Sequence, residues 1–127
     1  SDFLKKNLLL YFYPRDMTPG CTTESIEFNT NFSKIKKLNY ELVGVSRDSI
    51  KSHIKFIEKH KFKFPLISDE SKVVINDYGV WGPKKFMGRE YMGILRVTYI
   101  IDEKGIISYV YDSVKTKTHA LDILNDF

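Results

Sequence analysis

Six consecutive residues, Leu8-Leu9-Leu10-Tyr11-Phe12-Tyr13, present apolar or aromatic side chains on both sides of any strand they form. Successive strand side chains point to opposite faces, so such a run must be covered twice. That is the situation of an inner strand in an α/β sheet, not of a one-sided meander. Pro14 ends the run because it has no N–H to give a ladder. The remaining chain must therefore supply helices for both faces. Its 127 residues suffice for one domain, residues 1–127, that buries about two-thirds of its unfolded surface.

The order of elements follows the same logic. Thr18 is placed to cap a helix with Pro19 at its first position, and Phe28, Phe32 and Ile35 carry that helix to about Leu38. Tyr40 to Val45 returns as a strand. Asp48 or Ser49 opens a second helix, whose expected apolar stripe is Ile50, Ile54 and Ile57, with His53 and His60 as exposed structural histidines. Phe64 to Ile67 reads as a short strand, and Ser71 to Tyr78 as a short helix ended by Gly79. Val80 to Gly93 reads as a connection, either a packed surface loop or a wall of a site. Ile94 to Asp102 is a strand, Glu103-Lys104-Gly105 a turn, Ile106 to Tyr111 the returning strand, and Thr118 to Asp126 a last helix. This order predicts an α/β protein with a thioredoxin-like fold: a central mixed sheet flanked by helices, with an inserted strand and helix.

Composition removes several classes of function. No apolar run approaches the roughly 18 residues of a membrane span. A net charge of +4 comes from lysines spread along helices and turns, without a recognition motif, so solvated faces are expected and not a nucleic-acid surface. The histidines have no acidic or cysteine partner at ligand spacing, and no metal or other cofactor is expected. One cysteine in the whole chain cannot form an internal disulfide, which fits a reducing compartment, the cytoplasm.

That cysteine, Cys21, lies within Pro14-Arg15-Asp16-Met17-Thr18-Pro19-Gly20-Cys21. A lone thiol is commonly a buried structural residue. Here it falls in the first turn of a helix, where free N–H groups and the dipole favour an anion. A free thiol with a pKa of about 8.5 is only a few per cent ionised at neutral pH. Making it about 90% thiolate requires lowering that value by roughly 2.5, worth about 3.4 kcal/mol. A helix start contributes roughly 0.3–1 kcal/mol and at most about 2, so a cation has to help. Arg96 is the candidate, because it interrupts the apolar run Ile94 to Ile101, where a permanent charge must be paired. Alternation places Arg96 and Thr98 on one face, with Leu95, Val97 and Tyr99 on the other. Glu24 is a possible structural partner for the guanidinium, and Arg15 lies in a loop where water would screen it. Disulfide exchange needs a second thiol. Protease chemistry needs a histidine base, and none of His53, His60 and His119 sits in a motif that recommends it. A thiolate with a hydroxyl, an arginine and helix N–H groups suits attack on a peroxide, where those donors stabilise the departing oxygen and the sulfur becomes a sulfenic acid.

The stretch Pro14 to Glu24 resembles the peroxidatic motif of peroxiredoxins, Pro-x-x-x-Thr-x-x-Cys. It is most similar to the bacterioferritin comigratory protein (PrxQ) subfamily, whose loop commonly reads Thr-Pro-Gly-Cys-Thr. The likeness continues through Gly79-Val80-Trp81-Gly82, Phe86-Met87-Gly88, Gly93-Ile94-Leu95-Arg96-Val97-Thr98 and Ile101-Asp102. It implies thiol-dependent reduction of hydrogen peroxide and organic hydroperoxides, with Cys21 as nucleophile and Thr18 hydrogen-bonding thiolate and peroxide. Arg96 would lower the thiol's pKa and polarise the peroxide, Pro14 would shield the sulfur, and Glu24 and Gly20 would support the site. Where many members carry a resolving cysteine this chain has Ile26, or Val73, Val74 and Ile75. A one-cysteine enzyme is therefore expected, reduced by an external thiol such as thioredoxin or a glutathione system. The resemblance also implies a monomer, and a β-hairpin segment ahead of Ser1 that this sequence lacks. A thiol sensor or scaffold that oxidises without turnover is the alternative, and a general disulfide reductase is disfavoured by the missing second cysteine.

Overall fold

The computed structural model describes residues 7–86, 88–112, 114 and 116–126. Ser1 to Lys6, and Met87 of the Phe86-Met87-Gly88 match, lie outside the described residues. The elements run β1 (Asn7–Phe12), α1 (Pro19–Thr30), α2 (Phe32–Lys37), β2 (Tyr40–Ser46), α3 (Ile50–His60), β3 (Leu66–Ser68), α4 (Val73–Asp77), β4 (Trp81–Phe86), β5 (Arg89–Ile94), β6 (Val97–Ile101), β7 (Ile107–Tyr111) and α5 (His119–Asp126). Five strands form one mixed sheet in the order β3-β2-β1-β6-β7, with β4 and β5 paired separately. β1 is central, parallel to β2 and antiparallel to β6.

The double covering expected of β1 is present. Leu9, Tyr11 and Tyr13 pack with Phe28, Ile35, Phe56 and Ile123 from the helices on one face. Leu10 and Phe12 pack with Ile75, Val80, Ile94 and Val97 on the other. The expected central sheet, inserted strand (β3) and inserted helix (α4) are all formed.

Four local expectations are corrected. The helix from Pro19 does not run unbroken to Leu38 but divides at Asn31, whose side-chain amide donates to the Glu27 carbonyl at 2.9 Å and competes with the helical ladder. Val80 to Gly93 is not a loop but mainly the β4–β5 hairpin, turned at Gly88 with φ of 79°. The strand expected from Ile94 begins at Val97, because Ile94 belongs to β5 and the chain crosses between sheets at Leu95 and Arg96. On α3 the face turned inward is His53 and Phe56, with Ile57 of the expected stripe half-buried against the same core, while Ile50 and Ile54 are 67% and 50% exposed. Phe56 meets His60 and Phe62 edge to face and Tyr13 at a tilt, an aromatic cluster that outweighs burial of two isoleucines.

Candidate active site

β1 delivers the chain to Pro14 at the end of the sheet, and the backbone of Tyr13 continues its register by donating to Val45 O at 3.1 Å. The loop then turns through Met17, a non-glycine residue with φ of 65°, and enters α1. Thr18 has the extended backbone of an N-cap, but its side chain does not cap the helix. Its hydroxyl donates instead to the Arg15 carbonyl at 2.8 Å. The single hydroxyl proton is thereby used, and the structure does not join it to the sulfur. What Thr18 has left to offer is an acceptor.

Cys21 occupies the first turn of α1 and is fully buried. Arg96, from the β5–β6 crossing, places Nη2 3.3 Å from its Sγ and Nη1 2.6 Å from Glu24 Oε1. Cys21 and Glu24 are three apart, one turn of α1, so a single guanidinium spans both. Thr98 shares the Arg96 side of the sheet as expected, where its hydroxyl meets His119 Nε2 at 2.8 Å. Gly20 makes room for this arrangement: a Cβ there would stand 3.2 Å from Arg96 Nη2. Both nitrogens of the guanidinium that matter here are therefore committed, one to sulfur and one to carboxylate.

The electrostatics follow from burial and charge. Burial pushes the Glu24 carboxyl up to about 7, against the pull of Arg96, and among the described residues its Oε2 has no hydrogen-bond partner. Burial disfavours the Arg96 charge, but Glu24 and Cys21 outweigh it and raise the guanidinium above its ordinary value. Burial lowers His119 to about 4, aided by the Arg96 charge and opposed by Asp122, which leaves a neutral ring at pH 7 bonded to Thr98 and not to the sulfur. Burial and Arg96 also lower Lys84, with Cys21 opposing.

A cleft of about 420 Å³ opens beside the loop, lined by Pro14, Arg15 and Thr18 on one side and by Trp81, Lys84 and Tyr91 to Ile94 on the other. The β4–β5 hairpin is thus a wall of the cleft beside the loop that carries Pro14 and Thr18. Lys84 points its Nζ at the Ile94 carbonyl, 3.0 Å away, and was not legible as a site residue among many lysines. Asp16 and His53 were missed as well. Sequence spacing offers His53 no acidic partner and suggests exposure. The fold instead buries it and brings Asp16 and Asp48 to it, with their ligating atoms all within 4.8 Å. Both oxygens of Asp16 are already occupied by hydrogen bonds from Tyr13, Ser52 and His53.

Comparison with known proteins shows the family. Residues 1–110 match the AhpC/TSA family. The chain is 44% identical over 119 residues to the putative peroxiredoxin bcp of Haemophilus influenzae, covering 94% of this chain and 77% of that protein. It is 41% identical over 125 residues to peroxiredoxin Bcp of Escherichia coli, covering 98% and 80%. A structure of Xanthomonas campestris bacterioferritin comigratory protein, described for its alkyl peroxide reduction activity, superposes with a TM-score of 0.91 at 36% identity, covering 98% of this chain and 79% of that one. A mutant of Xylella fastidiosa PrxQ superposes at 0.92 with 38% identity, covering 98% and 77%.

Proposed function

This chain belongs to the AhpC/TSA family and is a thiol-dependent peroxidase of the peroxiredoxin Bcp (PrxQ) kind, and on that premise we propose which residues do the work and how the sulfur is restored. The observation that carries the assignment is the contact of Arg96 Nη2 with Cys21 Sγ at 3.3 Å, braced through Nη1 by Glu24. Cys21 is the peroxidatic nucleophile. Its thiolate attacks the terminal oxygen of a hydroperoxide, an S–O bond forms as the O–O bond breaks to give the sulfenic acid, and the departing alkoxide or hydroxide takes up a proton from solvent to become alcohol or water. Negative charge moves from sulfur to the departing oxygen. Arg96 is placed to stabilise it at both ends of that path. Thr18, whose own proton is held by Arg15 O, accepts from the peroxide O–H and orients it. Gly20 keeps the guanidinium close, and Pro14 forms the rim of the cleft that shields the sulfur.

The sequence holds one cysteine, and Ile26 and Val73 to Ile75 stand where a resolving thiol would serve. The sulfenic acid is therefore cleared by an external thiol. The first thiol forms a mixed disulfide and releases water, and a second frees Cys21 and departs as a disulfide. Thioredoxin or a glutathione system is the physiological donor, acting on a monomer in the cytoplasm. The structure has no helix long and apolar enough to cross a membrane among the described residues.

Cys21→Ser is expected to abolish peroxide consumption. One equivalent of peroxide should add a single oxygen to the wild-type mass, reversed by the competent donor. Sustained NADPH oxidation in a coupled thioredoxin or glutathione assay supports turnover. A single equivalent consumed with every donor would identify a sensor and overturn the cycle.

A further inference from the structure

Beside the reacting atoms lies a buried polar cluster that the peroxide chemistry above does not use. Asp16 and His53 are 5% and 3% exposed. Asp16 Oδ1 accepts from Tyr13 OH at 2.6 Å, and Oδ2 accepts from Ser52 Oγ at 2.8 Å and meets His53 Nδ1 at 2.7 Å. The other ring nitrogen of His53, Nε2, lies 3.0 Å from the Ile67 carbonyl. A backbone carbonyl and a carboxylate can only accept, whereas a neutral imidazole has a single N–H. With Asp16 a carboxylate accepting at both oxygens, both contacts are hydrogen bonds when the ring carries both protons. In that arrangement His53 is an imidazolium and Asp16 its buried counter-ion.

The pair sits where it governs the loop. Asp16 precedes Thr18 by two residues, and its own N–H donates to Asp48 Oδ2 at 2.8 Å, which Ser46 Oγ holds at 2.6 Å. The next residue, Met17, adopts φ of 65° while 42% exposed, so nothing about its own burial maintains that left-handed backbone. Such a conformation costs a non-glycine residue roughly 1–2 kcal/mol and persists only where neighbours determine it. Asp16 is that determinant on one side, and the helix start on the other. Tyr13 just after β1, Asp16 from the loop, Asp48 from the turn after β2, Ser52 from α3 and the Ile67 carbonyl from β3 complete the surroundings of the ring; the carboxylates and that carbonyl outweigh its burial and raise His53 above its ordinary value.

We propose that the Asp16–His53 ion pair is the positioning device of the peroxide site: it fixes the Pro14 to Thr18 loop on α3 and β3 so that the Thr18 oxygen meets the peroxide at Cys21. Neither residue touches the reacting atoms. The proposal rests on the peroxidase reading above, and the test separates the two. Imidazole ¹⁵N shifts of the wild-type protein at pH 7 should show both nitrogens of His53 protonated; a neutral ring overturns the proposal whatever the enzyme does. His53→Gln and Asp16→Asn should each lower the second-order rate of Cys21 with hydrogen peroxide about tenfold or more, on the scale that small misplacements cost in a site. Alkylation of Cys21 by iodoacetamide, which needs a thiolate but no Thr18, should be unchanged or faster. Equal falls in both rates, or a peroxide rate within about twofold of wild type, would overturn positioning. Wild type that forms no sulfenic acid refutes the peroxidase reading instead, and leaves the ¹⁵N result standing.

Discussion

Replacing Arg96 with glutamine separates what the guanidinium does for the sulfur from what it does for the fold. The variant loses the bond to Sγ and the bond to Glu24. A hydrogen bond to a charged group contributes about 1.5–3 kcal/mol, so the first loss alone lowers the peroxide rate about 10- to 150-fold. The second loss is pH-dependent in a way the Glu24 carboxyl dictates. With its folded value pushed up to about 7 from an ordinary 4.5, this carboxyl gives its stabilisation below 4.5 and loses it as pH rises to 7. Wild type has therefore already given up most of that stability by neutral pH, and Arg96 contributes little to folding through this pair there. Above pH 7 the wild-type carboxylate is ionised and held by Arg96. In the variant it must stay protonated, so the stability gap widens by about 1.4 kcal/mol per pH unit. Urea denaturation at pH 6, 7, 8 and 9 reads the gap, and stopped-flow competition with a haem peroxidase reads the rate. Adding Glu24→Gln should close the alkaline gap without restoring the rate. If the double variant recovers wild-type rate, or if Arg96→Gln costs less than about threefold, the electrostatic account of this site is wrong.

Two further outcomes follow from the same neighbourhood. Gly20→Ala places a Cβ 3.2 Å from Arg96 Nη2, while removing a helical glycine favours the fold by about 0.5–1 kcal/mol; thermal stability should hold or rise as the peroxide rate falls several-fold, and an unchanged rate would remove Gly20 from the site. His119, lowered to about 4 from 6.5, gives stability that is complete above 6.5 and lost as pH falls to 4, up to about 3 kcal/mol. Denaturation of His119→Gln across that interval should lack this slope, and identical slopes would refute the neutral buried ring.

Much of this could be seen in the residues because each legible feature obeyed a local rule. The β1 run demanded cover on both faces, and Leu9 and Leu10 now lie in opposite halves of the core. Arg96 was conspicuous because a fixed charge in an apolar run needs a partner, and its two partners are those that chemistry suggested. The misses come from tertiary competition. His53 looked exposed because Ile50 and Ile54 set the apparent apolar face of α3, but its partner Asp16 comes from a loop 37 residues earlier. The β4–β5 hairpin was hidden by Gly82, Pro83 and Gly93, residues that weaken strand propensity without preventing pairing. Thr18 was rightly placed at the helix start, yet the Arg15 carbonyl captured a hydroxyl that helix rules assign to capping.

The inward stripe of α1 is Cys21, Glu24, Ser25 and Phe28, at the spacing by which helices ordinarily grip a sheet. Only Phe28 is a bulky anchor. Ser25 is tied to the Tyr11 hydroxyl at 2.8 Å, and the other two are the reactive thiol and the brace of its arginine. Half of that stripe is the proposed nucleophile and the brace of its arginine. Oxidising Sγ inserts an oxygen into a fully enclosed seam, where one additional heavy atom costs about 1–3 kcal/mol in misfit. On the chemistry proposed above, each turnover loosens the joint it starts from, so that the chemical state of one sulfur would be written into how firmly the first helix is seated.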